Sequence, residues 1–89
     1  MKKKDLLIEN KLGLHARAAA QIVKSASGYS ARILLCKDGV EVDGKSIMGI
    51  MMLAAAKGTT ILVQVEGADE DRALEGMERL FKDKFGEKE

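Results

Sequence analysis

Residues 31–44 read ARILLCKDGVEVDG. Ile33 and Leu35 alternate with Leu34 and Cys36, Asp38-Gly39 intervenes, and Val40-Glu41-Val42 alternates again. A period of two on both sides of Asp-Gly is the mark of a β-hairpin. The two-residue turn that matches strand twist needs positive φ, which Gly tolerates best. The stretch predicts strands over 31–37 and 40–42, paired antiparallel, with Asp43-Gly44 ending the second. It also governs an overlapping motif. Residues 39–46, GVEVDGKS, match the phosphate-loop pattern G-x-x-x-x-G-K-[ST] letter for letter. That loop must leave a strand, wrap its N–H groups around phosphates and open a helix of a parallel sheet. Here its first glycine belongs to a hairpin turn and its middle is a strand. The match is read as coincidental, and a nucleotide-binding fragment is set aside.

Working outward, residues 3–9 read as a strand with Leu6 and Ile8 on one face, and 10–13 as a loop. From His15 to about Ser27 the pattern is helical. Ala16, Ala19, Ala20, Val23 and Ala26 form a narrow apolar stripe, and Gly28 is a C-cap. A short helix is expected from Ser46 to Ala56, ended by Gly58. A fourth strand follows over 59–66, with Ile61, Val63 and Val65 facing one way. A last helix starts near Asp69. Acidic residues lie in its first turn and lysines near its end, as the helix dipole favours. Its apolar stripe is Ala73, Leu74, Met77, Leu80, Phe81 and Phe85, and Gly76 weakens it slightly. The order is βαββαβα. The simplest way to bury these stripes is one sheet with helices on one face, an α+β architecture, leaving Leu34, Cys36 and Leu62 on the open face.

With 89 residues, the chain has room for a single domain, 1–89. A net charge of +1, from 15 basic and 14 acidic residues, and only three aromatic side chains argue against nucleic acid as a partner. One cysteine excludes an intrachain disulfide and fits a reducing cytoplasm. Lys2–Lys4 resemble the start of a signal peptide, but the apolar run behind them is too short. No stretch is long enough for a membrane span.

The only histidine, His15, stands in GLHARAAAQ, residues 13–21, where a loop turns into a helix. A lone histidine is most often a surface residue or a satisfied polar group. At a helix start, however, it lies beside N–H groups without intrahelical partners and at the positive end of the dipole. Both favour an anion, phosphate above all. Arg17, two residues on, offers a planar set of donors for a phosphoryl group. Imidazole, largely neutral near pH 7, is a competent nucleophile. His15 is therefore expected to carry a phosphoryl group, stabilised by helix amides and Arg17. There is no second histidine or cysteine pair for a metal, and no cofactor is expected.

The segments NKLGLHAR and KSIMGIMMLAAAKGTTI resemble the signatures of HPr, the histidine-containing phosphocarrier family of the bacterial sugar phosphotransferase system. The resemblance runs from about residue 4 to 85. It implies an open-faced β-sandwich, with a four-stranded antiparallel sheet and three helices on one face. It also implies that His15 accepts a phosphoryl group on Nδ1 from phosphorylated enzyme I and passes it to an enzyme IIA, with Arg17 as the stabilising partner. The product is a transient phosphohistidine rather than the turnover of a stand-alone enzyme. The family usually has proline after the arginine. This chain has Ala18, which leaves the helix start softer.

Ser46 is explained as an ordinary N-cap. The resemblance adds regulatory phosphorylation there by an ATP-dependent HPr kinase/phosphorylase. The helix it opens has two apolar stripes, Ile47, Ile50, Leu53 and Ala54, and Met48, Met51, Met52 and Ala55. A short helix on a one-layer sheet cannot bury both. The expectation is an exposed docking patch of Ile47, Met48 and Met51, suited to several partners by flexible methionines. Arg17, Gln21 and Lys24 on the first helix rim it, with Ala16 and Ala20 counted among the partner-binding positions. The protein is expected to be a cytoplasmic monomer without membrane contact. The rival expectations are a mainly regulatory HPr-like protein working through Ser46, or a nitrogen-related phosphocarrier.

Overall fold

In the computed structural model, which describes Met1–Glu89, Asp38 and Gly39 both have positive φ, 50° and 80°. This is the primed turn the hairpin requires. It joins β2 (Arg32–Lys37) to β3 (Val40–Asp43), with Lys37 opposite Val40 and Leu35 opposite Val42. Residues 39–46 are thus a turn, a strand and a second turn, not a phosphate loop. β1 (Lys2–Leu7) and β4 (Thr60–Glu66) complete one sheet of order β1-β4-β2-β3, antiparallel throughout. α1 (Ala16–Ala26), α2 (Ile47–Met52) and α3 (Glu70–Lys82) complete the βαββαβα order, followed by a 3₁₀ turn, Lys84–Gly86. The result is the four-stranded antiparallel sheet with three helices of an open-faced sandwich. No helix is long and apolar enough to cross a membrane.

The period of two sorts the strands. Leu6, Ile33, Leu35, Ile61, Val63 and Val65 are buried, whereas Leu34, Cys36, Leu62 and Gln64 on the opposite side are partly exposed. Ile8 lies just past β1, yet is fully buried. Its backbone bonds to Thr59 O and from Gly58 N extend the sheet by one pair.

The buried face of α1 differs from the expected stripe. Ala18, Ala19, Ile22 and Ala26 are buried, Val23 is half-buried, and Ala16 and Ala20 face solvent. In an alanine run every face is weakly apolar. The one large apolar side chain that gains most by burial, Ile22, sets the rotation. Gly28 follows the C-cap Ser27.

α2 is also shorter than expected, six residues rather than eleven. Leu53 closes it and Ala54 takes φ +48°, so the chain turns away before Ala56. Ile50, Leu53 and Ala55 are buried, which mixes the two expected stripes. Ile47 is exposed, while Ile50 and Leu53 of the same stripe are buried.

Gly76 has a packing role beyond its small propensity cost. A Cβ there would lie 2.3 Å from the Tyr29 hydroxyl oxygen, so α3 fits over Tyr29 only because the position is bare. Asp69, at the N-cap of α3, accepts from Ser30 N and Ala31 N at 2.9 and 2.8 Å, pinning α3 to the start of β2. After α3, Lys84 and Phe85 take φ of 55° and 56°. Left-handed backbone at non-glycine residues costs about 1–2 kcal/mol each. Offsetting it, Phe85 is buried edge-to-face against Phe81, centroids 4.9 Å apart. The reversal carries residues 86–89 across to the start of α1.

Candidate functional site

The site begins with the loop ahead of α1. Gly13 has φ +67°, and a Cβ there would meet Ala55 O at 2.4 Å. Only glycine allows the loop to lie this close to the segment after α2. Leu14 N then donates to Ala55 O at 2.9 Å, and the Leu14 side chain is buried. The next residue, His15, is extended (φ −75°, ψ 178°) and caps α1.

The cap is unusual because the acceptor is a ring nitrogen. Arg17 N donates to His15 Nδ1 at 3.3 Å, a long bond. An N–H donor requires a lone pair on Nδ1, which puts the neutral ring's proton on Nε2. That nitrogen faces Glu87 Oε2 at 2.5 Å. The other oxygen of Glu87 accepts from Asn10 Nδ2 at 3.1 Å, and the same Asn10 nitrogen donates to Gly13 O at 2.8 Å. Burial opposes ionisation of Glu87. Hydrogen bonds from His15 and Asn10, with the charges of His15 and Arg17, outweigh it and hold the carboxyl below its usual range.

The nucleophilic lone pair of Nδ1 thus points at the first turn of α1. The first intrahelical bond there is Ala19 N to His15 O, 2.9 Å. Ahead of it, the Ala16 and Arg17 N–H groups have no carbonyl partner within the helix and present partial positive charge. Arg17 is exposed, makes no ion pair, and lines an open recess of about 670 Å³ with His15, Lys11, Leu12 and Glu87. The arrangement can accept a tetrahedral anion on Nδ1, with amides and a guanidinium around its oxygens.

The other expected residues fall in two groups. Ser46 caps α2, its hydroxyl accepting from Gly49 N at 3.1 Å. On α2, Ile47, Met48 and Met51 are exposed, Met48 at 78%, and so is Met52 at 75%, a member of the second stripe outside the expected patch. α1 presents Ala16, Arg17, Ala20 and Lys24 to solvent, with Gln21 half-buried. α1 and α2 pack against each other. Asn10, Leu12 and Glu87 escaped the sequence reading. Leu12, 67% exposed and three residues before His15, carried a local signal, an apolar residue in a polar loop. Glu87 carried none, because 72 positions separate it from His15.

The relatives of this chain are named as phosphocarriers or as HPr-like proteins. The family described as "PTS HPr component phosphorylation site" matches residues 2–83. The phosphocarrier protein HPr of Xylella fastidiosa is 46% identical over 83 residues, 93% of each chain. The HPr-like protein Crh of Halalkalibacterium halodurans is 43% identical over 77 residues, 86% of this chain and 92% of that one. Among solved structures, HPr from Thermoanaerobacter tengcongensis superposes with a TM-score of 0.95 at 44% identity, covering both chains fully. Sequence, topology and extent agree over nearly the whole length, and this chain belongs to the HPr phosphocarrier family.

Proposed function

We propose that this chain carries a phosphoryl group on His15 Nδ1, taken from phosphorylated enzyme I and given to an enzyme IIA of the sugar phosphotransferase system. The carrying observation is the orientation of the ring: Nε2 is engaged by Glu87, while Nδ1 faces the first-turn amides. The Nδ1 lone pair attacks phosphorus, an N–P bond forms, and the donor's bond to phosphorus breaks. Arg17 N, held to Nδ1 by only a long bond, turns to a phosphoryl oxygen. The Arg17 guanidinium balances the incoming charge. Transfer onward reverses these steps with a different acceptor.

Docking in this reading uses the exposed apolar side chains of α2, Ile47, Met48 and Met51, and the solvent side of α1 with Ala16, Ala20, Gln21 and Lys24. Their exposure beside the His15 loop supports it. The protein works as a cytoplasmic monomer, one domain over residues 1–89. Ser46 is a regulatory phosphorylation site for an HPr kinase/phosphorylase. A dianion there, at the edge of the patch, weakens docking by repulsion and by spoiling apolar contact. A mainly regulatory role through Ser46 is the second reading, favoured by the 43% identity to an HPr-like Crh protein.

One experiment separates them. The protein is treated with phosphoenolpyruvate and enzyme I, or with ATP and HPr kinase, and intact mass is measured before and after brief acid. The expected result is one acid-labile group from phosphoenolpyruvate, absent in His15→Ala, and one acid-stable group from ATP, absent in Ser46→Ala. Met48→Asp folds by circular dichroism but is labelled by enzyme I more slowly than wild type. Labelling of Ser46 without His15 transfers the function to the regulatory reading.

A further inference from the structure

We infer that Glu87 is a positioning residue for phosphoryl transfer: it keeps the proton on His15 Nε2 before, during and after the N–P bond forms. The inference rests on the phosphocarrier reading of His15. It starts from a carboxylate that chain geometry brings to the ring from the far end of the sequence, Oε2 to Nε2 at 2.5 Å.

Glu87 is not a loose tail residue that happens to touch the ring. Two residues before it, Phe85 is buried in the core at 3% exposure. Glu87 N donates to Lys84 O at 3.0 Å, and two residues after it Glu89 O accepts from Lys11 N. Its second oxygen is bonded by Asn10, which is fully buried and whose own Oδ1 finds no partner. A buried amide oxygen without a donor is destabilising. The chain tolerates that at a residue whose nitrogen joins the His15 loop, through Gly13 O, to Glu87. The carboxylate is therefore held on both backbone sides and at both oxygens.

The chemistry explains what such a group does. Neutral imidazole has one lone pair for attack, and it must be on Nδ1. A carboxylate on Nε2–H selects that tautomer. When Nδ1 bonds phosphorus, the ring carries phosphorus on one nitrogen and hydrogen on the other, and is cationic. Glu87 then faces a cation and stabilises it. In onward transfer the N–P bond breaks, its electron pair returns to Nδ1, and the ring leaves as neutral imidazole with the proton still on Nε2. If Nε2 loses its proton while phosphorylated, the leaving group becomes an imidazolate and transfer fails. Among the other charged groups around the recess, Lys11, Arg17 and Lys88 oppose a ring cation and Glu89 favours it. Glu87 is the one in hydrogen-bond contact with the ring.

The test uses the full chain and the variants Glu87→Ala, Glu87→Gln and Glu87→Asp. Nitrogen-15 NMR of the unphosphorylated ring reads the tautomer. Wild type and Glu87→Gln, whose amide oxygen still accepts, are expected to hold the proton on Nε2, whereas Glu87→Ala shows a mixture. Each protein is then labelled with phosphoenolpyruvate and enzyme I, and hydrolysis of the phosphohistidine is followed against pH. The acid-labile limb is expected to move down by about one pH unit or more in Glu87→Ala and Glu87→Gln, and to recover most of that shift in Glu87→Asp. A tautomer in Glu87→Ala identical to wild type, or a hydrolysis profile identical in all four proteins, overturns the inference even if the variants are less stable. Failure of wild-type His15 to accept phosphate sinks the phosphocarrier reading instead, and the tautomer measurement still reports on Glu87.

Discussion

α1 and α2 both open on a side-chain cap, and the two caps are built differently. At α2, Ser46 Oγ accepts from Gly49 N, three residues on, and nothing distant takes part. At α1, His15 accepts from Arg17 N through a longer bond, and its other ring nitrogen is held by a residue 72 positions away. Serine is a good cap by itself, since a hydroxyl reaches an N3 amide with little loss of freedom. A histidine ring is bulkier, and a reacting ring must keep one nitrogen free. The contrast teaches that an ordinary cap is made by its neighbours, while the cap to which the proposed function assigns chemistry is steadied from outside the helix. It also explains the Gly13 loop, the buried Asn10 and the reversed backbone at Lys84 and Phe85. Each places a group around His15. Ahead of Ser46, Gly44 is likewise packed on Ile33, its N donating to Ile33 O at 2.8 Å, but no distant side chain hydrogen-bonds the cap itself.

The strongest way to break the comparison is to disturb the outside support alone. Gly13→Ala puts a Cβ 2.4 Å from Ala55 O and 2.9 Å from Ala56 Cα, at φ +67°. Neither obstacle is a flexible side-chain end. Overpacking against backbone and left-handed strain together cost about 2–4 kcal/mol. Urea unfolding is expected to show a loss of that size, and labelling of His15 by enzyme I to fall with it, while Ser46 remains a substrate for HPr kinase. A loss under about 0.5 kcal/mol would mean that the loop yields easily and does not hold His15 against the segment after α2.

Ser46→Ala is the matching cut at the other cap. It removes one hydroxyl-to-amide bond from a half-exposed position. The expected loss is about 1 kcal/mol, read as a lower urea midpoint at unchanged slope. The rate at which His15 is labelled should stay within a factor of two or so of wild type, since the two caps share no hydrogen bond. A large drop in that rate would couple the sites and dissolve the distinction drawn above.

The same distinction governs what could be read from the sequence. The hairpin, the Ser46 cap and the position of His15 at the start of α1 are patterns local in sequence, and each is legible there. The rotation of α1 was not, because Ala16, Ala18, Ala19 and Ala20 offer nearly equal apolar faces and the choice is made by burying Ile22 in the core. The end of α2 was not, because neither proline nor glycine marks it; Ala54 takes the left-handed turn with Gly58 four residues further on. Gly76 reads as a small flaw in α3 because Tyr29, which requires the bare position, lies far from it in sequence. Glu87 sits in FGEKE, which reads as a charged tail. Only the burial of Phe85 after a backbone reversal gives it a fixed place.

The smallest expected effect sharpens the view of α1 itself. Ala18 is the third residue of the helix, ahead of the first intrahelical bond, which Ala19 N donates to His15 O. Its amide therefore gives up no helical hydrogen bond if replaced. Ala18→Pro removes freedom from the unfolded chain and keeps φ near helical values, which stabilises by about 0.4–1 kcal/mol where the ring fits. The fit is the open physical point, since Ala18 is fully buried and faces the core rather than the recess. Proline's added atoms bend back to its own nitrogen, so they fill space beside the preceding turn more than beneath the helix. The expected result is a slightly higher unfolding midpoint with labelling of His15 unchanged. A fall in midpoint would show that the packed alanine face of α1, rather than the backbone freedom of its first turn, limits this end of the molecule.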